Sequence, residues 1–553
     1  MNIQIASFRL FFWAMMSSII LFYAIWYTLS SYQDLVIWYQ QLNPDFYKND
    51  QWTDIFFTSE VKSFGQIFTW TLVVLSFVFL WISYKEKKIN LKSSIAFNHL
   101  KITTEGVLIF IFTMLNWYYW QDKASYATDE VFSAVNFAGI PFFQTISHYP
   151  LPNNHIFYNA INHWFGYFTD DLVFSGRLIS GIFIGFMMVS IHSFSASFIR
   201  VKAIRILIIL LLLTVFPIIG FATQARGYSL HMLLGWIAFL QLYLYSSRPD
   251  DKHMIFYIAA NALGMWTMPS YLYYWAGLTL AFGFIMIRRS KLDYRFFFSS
   301  VKILVLVFIF YLPVVTFSGW SSIIANKYVT SGQEGIIAFL QSMFSGGYFQ
   351  GLFSDFFGTG QYTWIGFGVI LFTLFLSWFN RKKAHFGPYL MSLIIVLLVM
   401  FVLHRKMPFY RNLVSHGVMI WVLLLLTIGV IIDSKRKLYT YIFSACLIVI
   451  SGYFTYLNLN KYPFHLYYYD VNGFGNSLSQ YDVSGFKNRK VFIHDESFYW
   501  HTAVRKATDD IHLGGIIDQN ADVIIIDSSR TNLIDTSKWT LQGELGESQI
   551  WGI

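Results

Sequence analysis

The stretch that decides the fold runs from Tyr118 to Leu178 and reads YYWQDKASYATDEVFSAVNFAGIPFFQTISHYPLPNNHIFYNAINHWFGYFTDDLVFSGRL. It lies between two apolar runs, and it gathers acids, histidines, asparagines and aromatic residues where water meets lipid. Ionisable groups close to a bilayer are costly unless they are solvated or paired. We therefore expect this loop to carry the functional site of a membrane protein.

The composition of the whole chain supports this class. Of its 553 residues 56% are hydrophobic and only 12% are charged, which excludes an ordinary soluble globular protein. The net charge of +9 does not indicate nucleic acid as a partner, because membrane proteins collect basic residues in their cytoplasmic loops. The single cysteine, Cys446, excludes an intrachain disulfide and a cysteine-based metal site.

Apolar runs long enough for a hydrocarbon core of roughly 30 Å predict about thirteen transmembrane helices. They fall near residues 9–30, 66–84, 105–120, 175–193, 203–220, 227–246, 253–269, 271–287, 297–317, 363–379, 387–403, 414–432 and 438–457. The first run lacks a signal-peptide cleavage site, so we interpret it as a retained helix.

Basic residues in the loops predict the orientation of these helices. Clusters of Lys and Arg occur at 85–92, 200–205, 248–252, 288–295, 381–383 and 434–437, all on one face. Because cytoplasmic loops carry this excess, the N-terminus is expected inside. The loops 121–174 and 318–362, and the chain after 457, are then extracytoplasmic, in a protein of the cell (inner) membrane.

From about Asn458 the sequence becomes polar and rich in turns, with short β-type runs. VFIHD (491–495) and DVIIID (522–527) are predicted strands, with a helix at 498–506 and a terminal hairpin that turns at 543–546. The predicted domains are an added N-terminal transmembrane hairpin (1–104), the main transmembrane domain (105–457) and an extracytoplasmic α/β domain (458–553).

Asp129 and Glu130 form an adjacent acid pair on the outer side of the third predicted span. Such a pair next to the bilayer is a functional candidate. The alternative is that Thr128 or Asp129 caps a helix that starts at Glu130, and both interpretations can hold together.

Three further residues flank the start of the fourth predicted span. Asp170 and Asp171 are expected to be mainly structural, because negative charge is favoured at a helix N-terminus. Arg177 is expected to pair with one of them or with Asp129.

Neutral polar donors follow a proline-bounded turn at Asn153, Asn154 and His155, and they suit a sugar or phosphate oxygen. A merely solvated interfacial histidine is the alternative for His155. The histidines of this loop lack the i, i+4 spacing of a helical zinc pair. A divalent metal is therefore possible but is not indicated, and no other cofactor is predicted.

Two basic motifs are expected on the same outer side. Arg226 and Tyr228 lie in QARGY (224–228), where the arginine either snorkels to lipid or holds a phosphate with two hydrogen bonds. HRKMPFYR (404–411) runs against the positive-inside trend, and a bound lipid phosphate or diphosphate would account for it. Contact with ordinary anionic lipid is the alternative. The candidate binding residues of this second motif are His404, Arg405, Lys406 and Arg411.

These motifs together resemble the integral-membrane glycosyltransferases of the GT-C fold, in particular the superfamily of protein O-mannosyltransferases and lipid A aminoarabinose transferases. The resemblance is carried by the acid pair 129–130, the run PNNHIFYNAINHWFG with the later GRL, QARGY and MPFYRNL, and it covers roughly residues 105–435. Two departures are that the acid pair follows the third span instead of the first, and that the C-terminal domain is not general in the family.

The resemblance implies transfer of a sugar from a polyprenyl-phosphate donor to an extracytoplasmic protein, glycolipid or glycan, with inversion. It implies that Asp129 is the general base or orients the acceptor, and that Glu130 assists. It also implies that His155, Arg226 and Arg411 line the donor cavity. A transporter or flippase of lipid-linked saccharides, or a polysaccharide polymerase, remains as an alternative, although neither needs an acid pair in this loop.

Overall fold

The structure is a computed structural model that describes residues 2–43, 52–89, 94–96, 103–124, 126–150, 154–169, 171–290, 293–324, 335–345, 368, 370–375, 386–405, 410–433, 437–460, 482–493, 511–513, 520–527, 534, 537–545 and 548–552. Helices dominate the described part of the chain up to Asn460, and a sheet follows in the C-terminal part.

The N-terminal part contains β1 (Asn2–Gln4), α1 (Ile5–Leu29), α2 (Tyr32–Leu42), α3 (Trp52–Ile55), α4 (Ser59–Ile89) and β2 (Ser94–Ala96). The middle contains α5 (Thr104–Lys123), α6 (Thr128–Ser133) with a π-helical continuation (Ala134–Ala138), α7 (Phe142–Ser147), α8 (Ile156–Phe165), α9 (Leu172–Ser195), α10 (Lys202–Leu212), α11 (Phe216–Ala222), α12 (Tyr228–Ser247), α13 (Asp251–Thr267), α14 (Tyr271–Arg288), α15 (Tyr294–Phe310), α16 (Leu312–Phe317), α17 (Trp320–Ile324) and α18 (Ile336–Ser345). The last helices are α19 (Gly387–His404), a 3₁₀ turn (Tyr410–Leu413), α20 (Val414–Asp433) and α21 (Lys437–Asn460).

The predicted transmembrane spans coincide with helices, except that the one near 363–379 is described only at 368 and 370–375, where it is helical. In the described ranges, seven helices are long and apolar enough to cross a membrane, or eight if α10 and α11 are one broken span. The fold class predicted from the sequence, a polytopic helical membrane protein with a small C-terminal α/β part, is confirmed.

The predicted span at 203–220 is broken, and α10 and α11 meet at an angle of 61°. Two asparagines from other helices satisfy carbonyls at the break: Asn116 Nδ2 donates to Leu213 O at 3.4 Å, and Asn458 Nδ2 donates to Thr214 O at 2.8 Å. Pro217 fits the restart because the first turn of a helix tolerates proline. The bend directs the end of α11 towards the QARGY segment.

The N-terminal hairpin packs against the main bundle. Ile20 and Leu72, from α1 and α4, share one buried cluster with Ile309 and Leu312, from α15 and α16. Polar contacts join the same regions, since Tyr27 Oη donates to Thr316 O at 2.9 Å. The hairpin is therefore continuous with the bundle through a common apolar core, and the domain boundary at 104 stays a prediction.

The C-terminal part is a five-stranded sheet in the order β4-β3-β5-β7-β6, formed by β3 (Val491–Ile493), β4 (Ile511–Leu513), β5 (Val523–Asp527), β6 (Thr540–Leu545) and β7 (Ser548–Gly552). β3 is parallel to β4 and β5, and β5, β7 and β6 are antiparallel. Leu545 pairs with Ser548, so β6 remains paired up to Leu545. The predicted turn at 543–546 is thus too early, since Gly543 lies inside β6 next to a bulge. The helix predicted at 498–506 lies outside the described residues.

Candidate functional site

Three segments distant in sequence meet where described parts of the loop 121–174 pack against the bundle. The acid pair lies on the short helix α6, and His155 directly precedes α8. Arg226 lies in the turn between α11 and α12, and Arg411 lies in the 3₁₀ turn before α20. Each of these side chains stands at the start of a helix or in a turn, where its backbone is anchored by the bundle.

Glu130 is buried, with 1% of its surface exposed, and its carboxylate is fully used. Oε1 accepts from Arg177 Nε at 3.2 Å and from the Ala225 amide at 2.6 Å. Oε2 accepts from Arg177 Nη2 at 2.7 Å and from the Ala127 amide at 2.9 Å. This bidentate pair ties α6 to α9 and to the QARGY segment.

Arg177 completes this buried network. Its Nη1 donates to Ala124 O at 2.7 Å and to Gln121 O at 3.3 Å, and its guanidinium lies 4.7 Å from the ring of Tyr126. Among the described residues Arg177 pairs with Glu130, so the expected pairing with Asp129 or Asp171 is wrong, and a pairing with Asp170 stays a prediction because Asp170 lies outside the described residues.

The flanking acids behave differently from one another. Asp171 caps α9 by accepting from the amides of Val173 at 3.0 Å and Phe174 at 2.8 Å, in agreement with its structural interpretation. Asp170 lies outside the described residues. The proposed cap of a helix starting at Glu130 is wrong, because α6 starts at Thr128 and its N-cap is Ala127.

Asp129 lies between two arginines and remains 28% exposed. Its Oδ2 is 3.2 Å from Arg226 Nη1 and also 3.2 Å from Arg411 Nη1. Arg226 Nη1 donates in addition to the Asp129 carbonyl at 3.2 Å. Asp129 thus offers the only partly exposed carboxylate of the acid pair, and it sits beside two positive charges.

His155 and Arg226 present hydrogen-bond donors side by side. Gly227 N donates to His155 Nδ1 at 2.8 Å, so the neutral imidazole carries its proton on Nε2. That Nε2 lies 3.4 Å from Arg226 Nη2, which is also a donor, so the two groups need a shared acceptor. Arg226 Nε is likewise buried without a hydrogen-bond partner among the described residues.

The environment keeps His155 neutral. Burial, followed by the positive charges of Arg226 and Arg411, holds the pKa of His155 well below its usual value. The ring also packs edge-on against Tyr228 at 5.0 Å, and Arg226 lies 5.6 Å from the ring of Tyr228. Tyr228 therefore supports the two donors through its aromatic face.

Asn154 does not join this cluster. It is buried, and its Nδ2 donates to the carbonyls of Thr145 at 3.1 Å and His148 at 2.8 Å. Its Oδ1 accepts from Asn159 Nδ2 at 2.9 Å. These bonds fasten the loop between α7 and α8, so Asn154 holds His155 in place rather than pointing at a ligand.

The basic run 404–406 is separate from the arginine pair in its described contacts. His404 ends α19 and lies 3.5 Å from the hydroxyl of Tyr273 through Nδ1. Arg405 adopts the left-handed conformation with φ 48°, and Lys406 lies outside the described residues. Among the described residues of the predicted basic motif, Arg411 is seen to contact the acid pair.

Two residues of this region were not among the predicted site residues. His231 on α12 and Ser415 on α20 contact each other next to the segments that carry the arginines. A histidine inside an apolar span is an intramembrane ionisable residue, and that signal in the sequence could have singled out His231. No group of three or more metal-ligating side chains occurs within the described ranges, and none of the cluster residues is arranged as a metal site.

No protein-family model matches the chain, and no curated protein matches it by sequence. Among solved structures it is similar to ArnT from Cupriavidus metallidurans in the apo state, with a TM-score of 0.52 and 11% sequence identity over 80% of this chain and 97% of that one. Arabinosyltransferase EmbB from Mycobacterium smegmatis is also similar, with a TM-score of 0.41 and 11% identity over 87% of this chain and 49% of that one. The likeness to ArnT shows a shared fold and confirms the predicted GT-C architecture.

Proposed function

We propose that the protein is a glycosyltransferase that moves a sugar from a polyprenyl-phosphate donor to an extracytoplasmic acceptor. The observation that carries the proposal is the convergence of Arg226 and Arg411 on one oxygen of Asp129, each at 3.2 Å. The acid, the histidine and both arginines named from the sequence meet at one place, although they come from separate segments. The fold shared with ArnT, a lipid A aminoarabinose transferase, supports this chemistry.

The donor phosphate would be held by the guanidinium groups of Arg226 and Arg411. Arginine presents planar, paired donors that match phosphate oxygens, and charge-assisted hydrogen bonds of this kind are the strong ones. The Nε2 proton of His155 and Nη2 of Arg226, 3.4 Å apart, need a common acceptor, and a phosphate oxygen supplies one. A phosphate here would compete with Asp129 for the arginines and thereby free its carboxylate.

Asp129 would act as the general base. The acceptor oxygen attacks the anomeric carbon, its proton passes to the Asp129 carboxylate, and the bond from that carbon to the phosphate oxygen breaks with its electron pair. The products are the glycosylated acceptor and the polyprenyl phosphate. The arginines stabilise the negative charge that grows on the departing phosphate.

Glu130 has a structural role in this proposal. Each of its oxygens already accepts two hydrogen bonds, so it has no free position for a substrate hydroxyl. The exposed fraction separates the two acids in the same way, at 28% for the Asp129 side chain and 1% for Glu130. The reacting acid is therefore Asp129 alone.

The donor is a membrane lipid, and the reaction takes place on the extracytoplasmic side in the orientation that the loop charges predict. The proposed acceptor is a protein, a glycolipid or a glycan. No nucleic acid takes part, and the arginine pair supplies the positive charge that other sites obtain from a metal ion.

Transfer from a polyprenyl-phosphate sugar by the purified protein in lipid nanodiscs tests the proposal. Asp129→Asn should abolish transfer, and the matched control Asp122→Asn should keep it, because Asp122 lies exposed at the end of α5 in the same loop. Full activity of Asp129→Asn overturns the assignment. Lipid-linked saccharide transport without transfer would favour the transporter alternative, which does not need Asp129 as a base.

A further inference from the structure

The two arginines that hold Asp129 belong to different segments, and a second contact joins these segments deeper in the bundle. His231 lies near the start of α12, after Arg226, and Ser415 lies near the start of α20, after Arg411. The Ser415 hydroxyl donates to the His231 carbonyl at 2.8 Å, and His231 Nδ1 contacts the same Oγ atom.

The proton positions of this contact can be assigned. The hydroxyl of Ser415 has one proton, and it goes to the His231 carbonyl. Its oxygen must therefore accept from His231, which places the imidazole proton on Nδ1. Ser415 and His231 are buried, at 2% and 0% exposure, so both hydrogen bonds are shielded from water and are costly to lose.

The helices approach each other closely at this contact. A Cβ atom on Gly235 would lie 3.2 Å from Cβ and Oγ of Ser415, so a larger residue there would have to displace Ser415 by a few tenths of an ångström. The hydroxyl of Tyr274, from α14, donates to the Gly235 carbonyl at 2.9 Å. Small residues let membrane helices pack backbone to backbone, and hydrogen bonds between them then fix the register. Ser415 consequently has little freedom to move relative to α12.

We propose that His231 and Ser415 are positioning residues that set the distance between Arg226 and Arg411. Each sits within two helical turns of its arginine on the same chain segment, so a shift of α20 against α12 moves one guanidinium relative to the other. The pair would thereby keep both arginines in place for one anion. This inference rests on the proposed function for the identity of that anion, but the coupling of the two segments does not depend on it.

The alternative is an ordinary hydrogen bond between helices that adds stability and nothing more. Thr427 provides a matched control, because it is buried on the same helix and its hydroxyl donates only along α20, to Leu423 O at 2.7 Å. Thr427→Ala deletes a buried hydroxyl of α20 whose hydrogen bond lies within α20 and does not reach α12. Asparagine at position 231 keeps a donor close to the place of Nδ1, so His231→Asn should preserve the contact that His231→Leu removes.

Hydrogen exchange of the full-length protein in nanodiscs tests the coupling. The amides of Ala225 and Gly227 are protected by Glu130 Oε1 and His155 Nδ1, so they report on the segment that carries Arg226. Ser415→Ala should speed exchange of peptides covering 223–230 and 410–416 together, by about tenfold, as expected when a local contact of one hydrogen-bond strength is lost. Thr427→Ala should leave both at the wild-type rate.

The coupling is overturned if Ser415→Ala changes only peptides of its own helix, or changes 223–230 no more than Thr427→Ala does. It is also overturned if His231→Asn exchanges as fast as His231→Leu. These outcomes need no ligand, so they decide the coupling whether or not the proposed function holds.

Binding of a polyprenyl phosphate to the protein in the same nanodiscs tests whether the coupling affects ligand binding. Ser415→Ala should weaken this binding about tenfold in the wild-type background and have no further effect in an Arg226→Gln background, because coupled residues are not additive. An equal loss in both backgrounds means that Ser415 does not act through the arginine and overturns the positioning role. Failure of the wild type to bind a polyprenyl phosphate overturns the proposed function and leaves the exchange result intact.

Discussion

Asp129 and Glu130 are neighbours in the sequence, and the structure gives them opposite surroundings. Glu130 is enclosed by Arg177 and two backbone amides, and Asp129 is partly exposed between Arg226 and Arg411. Successive residues on a helix point about 100° apart, so the two acids of an adjacent pair can meet different partners.

The comparison shows that two adjacent acids can have different roles. The buried pair of Glu130 and Arg177 joins α6, α9 and the QARGY segment, and so it fixes the backbone on which Asp129 and Arg226 stand. The exposed acid keeps the capacity to exchange partners. Under the proposed function this acid pair combines an anchor, Glu130, with a reactive group, Asp129, and each acid should respond differently to the same substitution by its amide.

The largest expected effect is the loss of transfer in Asp129→Asn. An amide cannot accept the proton of the acceptor hydroxyl, and general-base catalysis is worth roughly 10²–10⁴-fold in rate. The thermal unfolding temperature should fall less than in Glu130→Gln, because the Asp129 side chain is partly exposed. The transfer rate and the unfolding temperature, both measured on one preparation, check this prediction. A large drop in the unfolding temperature would show that Asp129 also has a structural role.

Glu130→Gln should show the reverse pattern. Both Glu130 oxygens accept from an arginine and from a backbone amide, so the new NH₂ group would face two donors and leave Arg177 without its counter-charge. Breaking a buried ion pair costs about 3–5 kcal/mol. Denaturation in detergent should detect this loss, and Glu130→Gln combined with Arg177→Met should recover part of it. A stable but inactive Glu130→Gln protein would argue that Glu130 reacts directly.

A smaller effect is expected for Arg411→Lys. Lysine keeps the charge but loses the planar paired donors, and hydrogen bonds to charged groups are worth about 1.5–3 kcal/mol. The KM for the donor should therefore rise by roughly ten- to a hundredfold, with a smaller change in kcat. Steady-state kinetics at varied donor concentration measures this split. An unchanged KM with a reduced kcat would mean that Arg411 acts only on Asp129 and does not hold the donor.

The smallest effect concerns pH. Burial and the nearby arginines lower the pKa of His155 in the folded state, so only the unfolded state gains a proton when pH falls below about 6.5. The folded protein should lose stability on that side by up to about 1.4 kcal/mol per pH unit for this group. His155→Gln should remove that slope, and unfolding measured between pH 5 and 8 tests it. An equal slope in both proteins would show that His155 titrates normally in the folded state.

The helices were predictable because each depends on a local run of apolar residues. The break between α10 and α11 was not, because it depends on carbonyls satisfied by Asn116 and Asn458 from other helices. In the C-terminal sheet both strands of the hairpin were predicted, but Gly543, expected in the turn, lies inside β6 next to a bulge. The periodicity of apolar residues therefore predicted the positions of helices and strands better than the breaks and turns between them.

Part of the predicted residue set comes together in the structure, but the contacts within it were not predicted. The acid pair, His155, Arg226 and Arg411 were all named from short motifs. The division between the two acids depends on Arg177, 47 residues from Glu130, and on the amide of Ala225, 95 residues away. These contacts depend on the tertiary structure, and no local pattern in the sequence identifies them.

The most direct test of the central claim is a cryo-electron microscopy structure of the protein in nanodiscs with a polyprenyl phosphate. The account predicts phosphate density in contact with the guanidinium groups of Arg226 and Arg411 and with His155 Nε2, and an Asp129 carboxylate released from at least one arginine. Phosphate density at His404 and Arg405 instead, with Asp129 still held by both arginines, would contradict it.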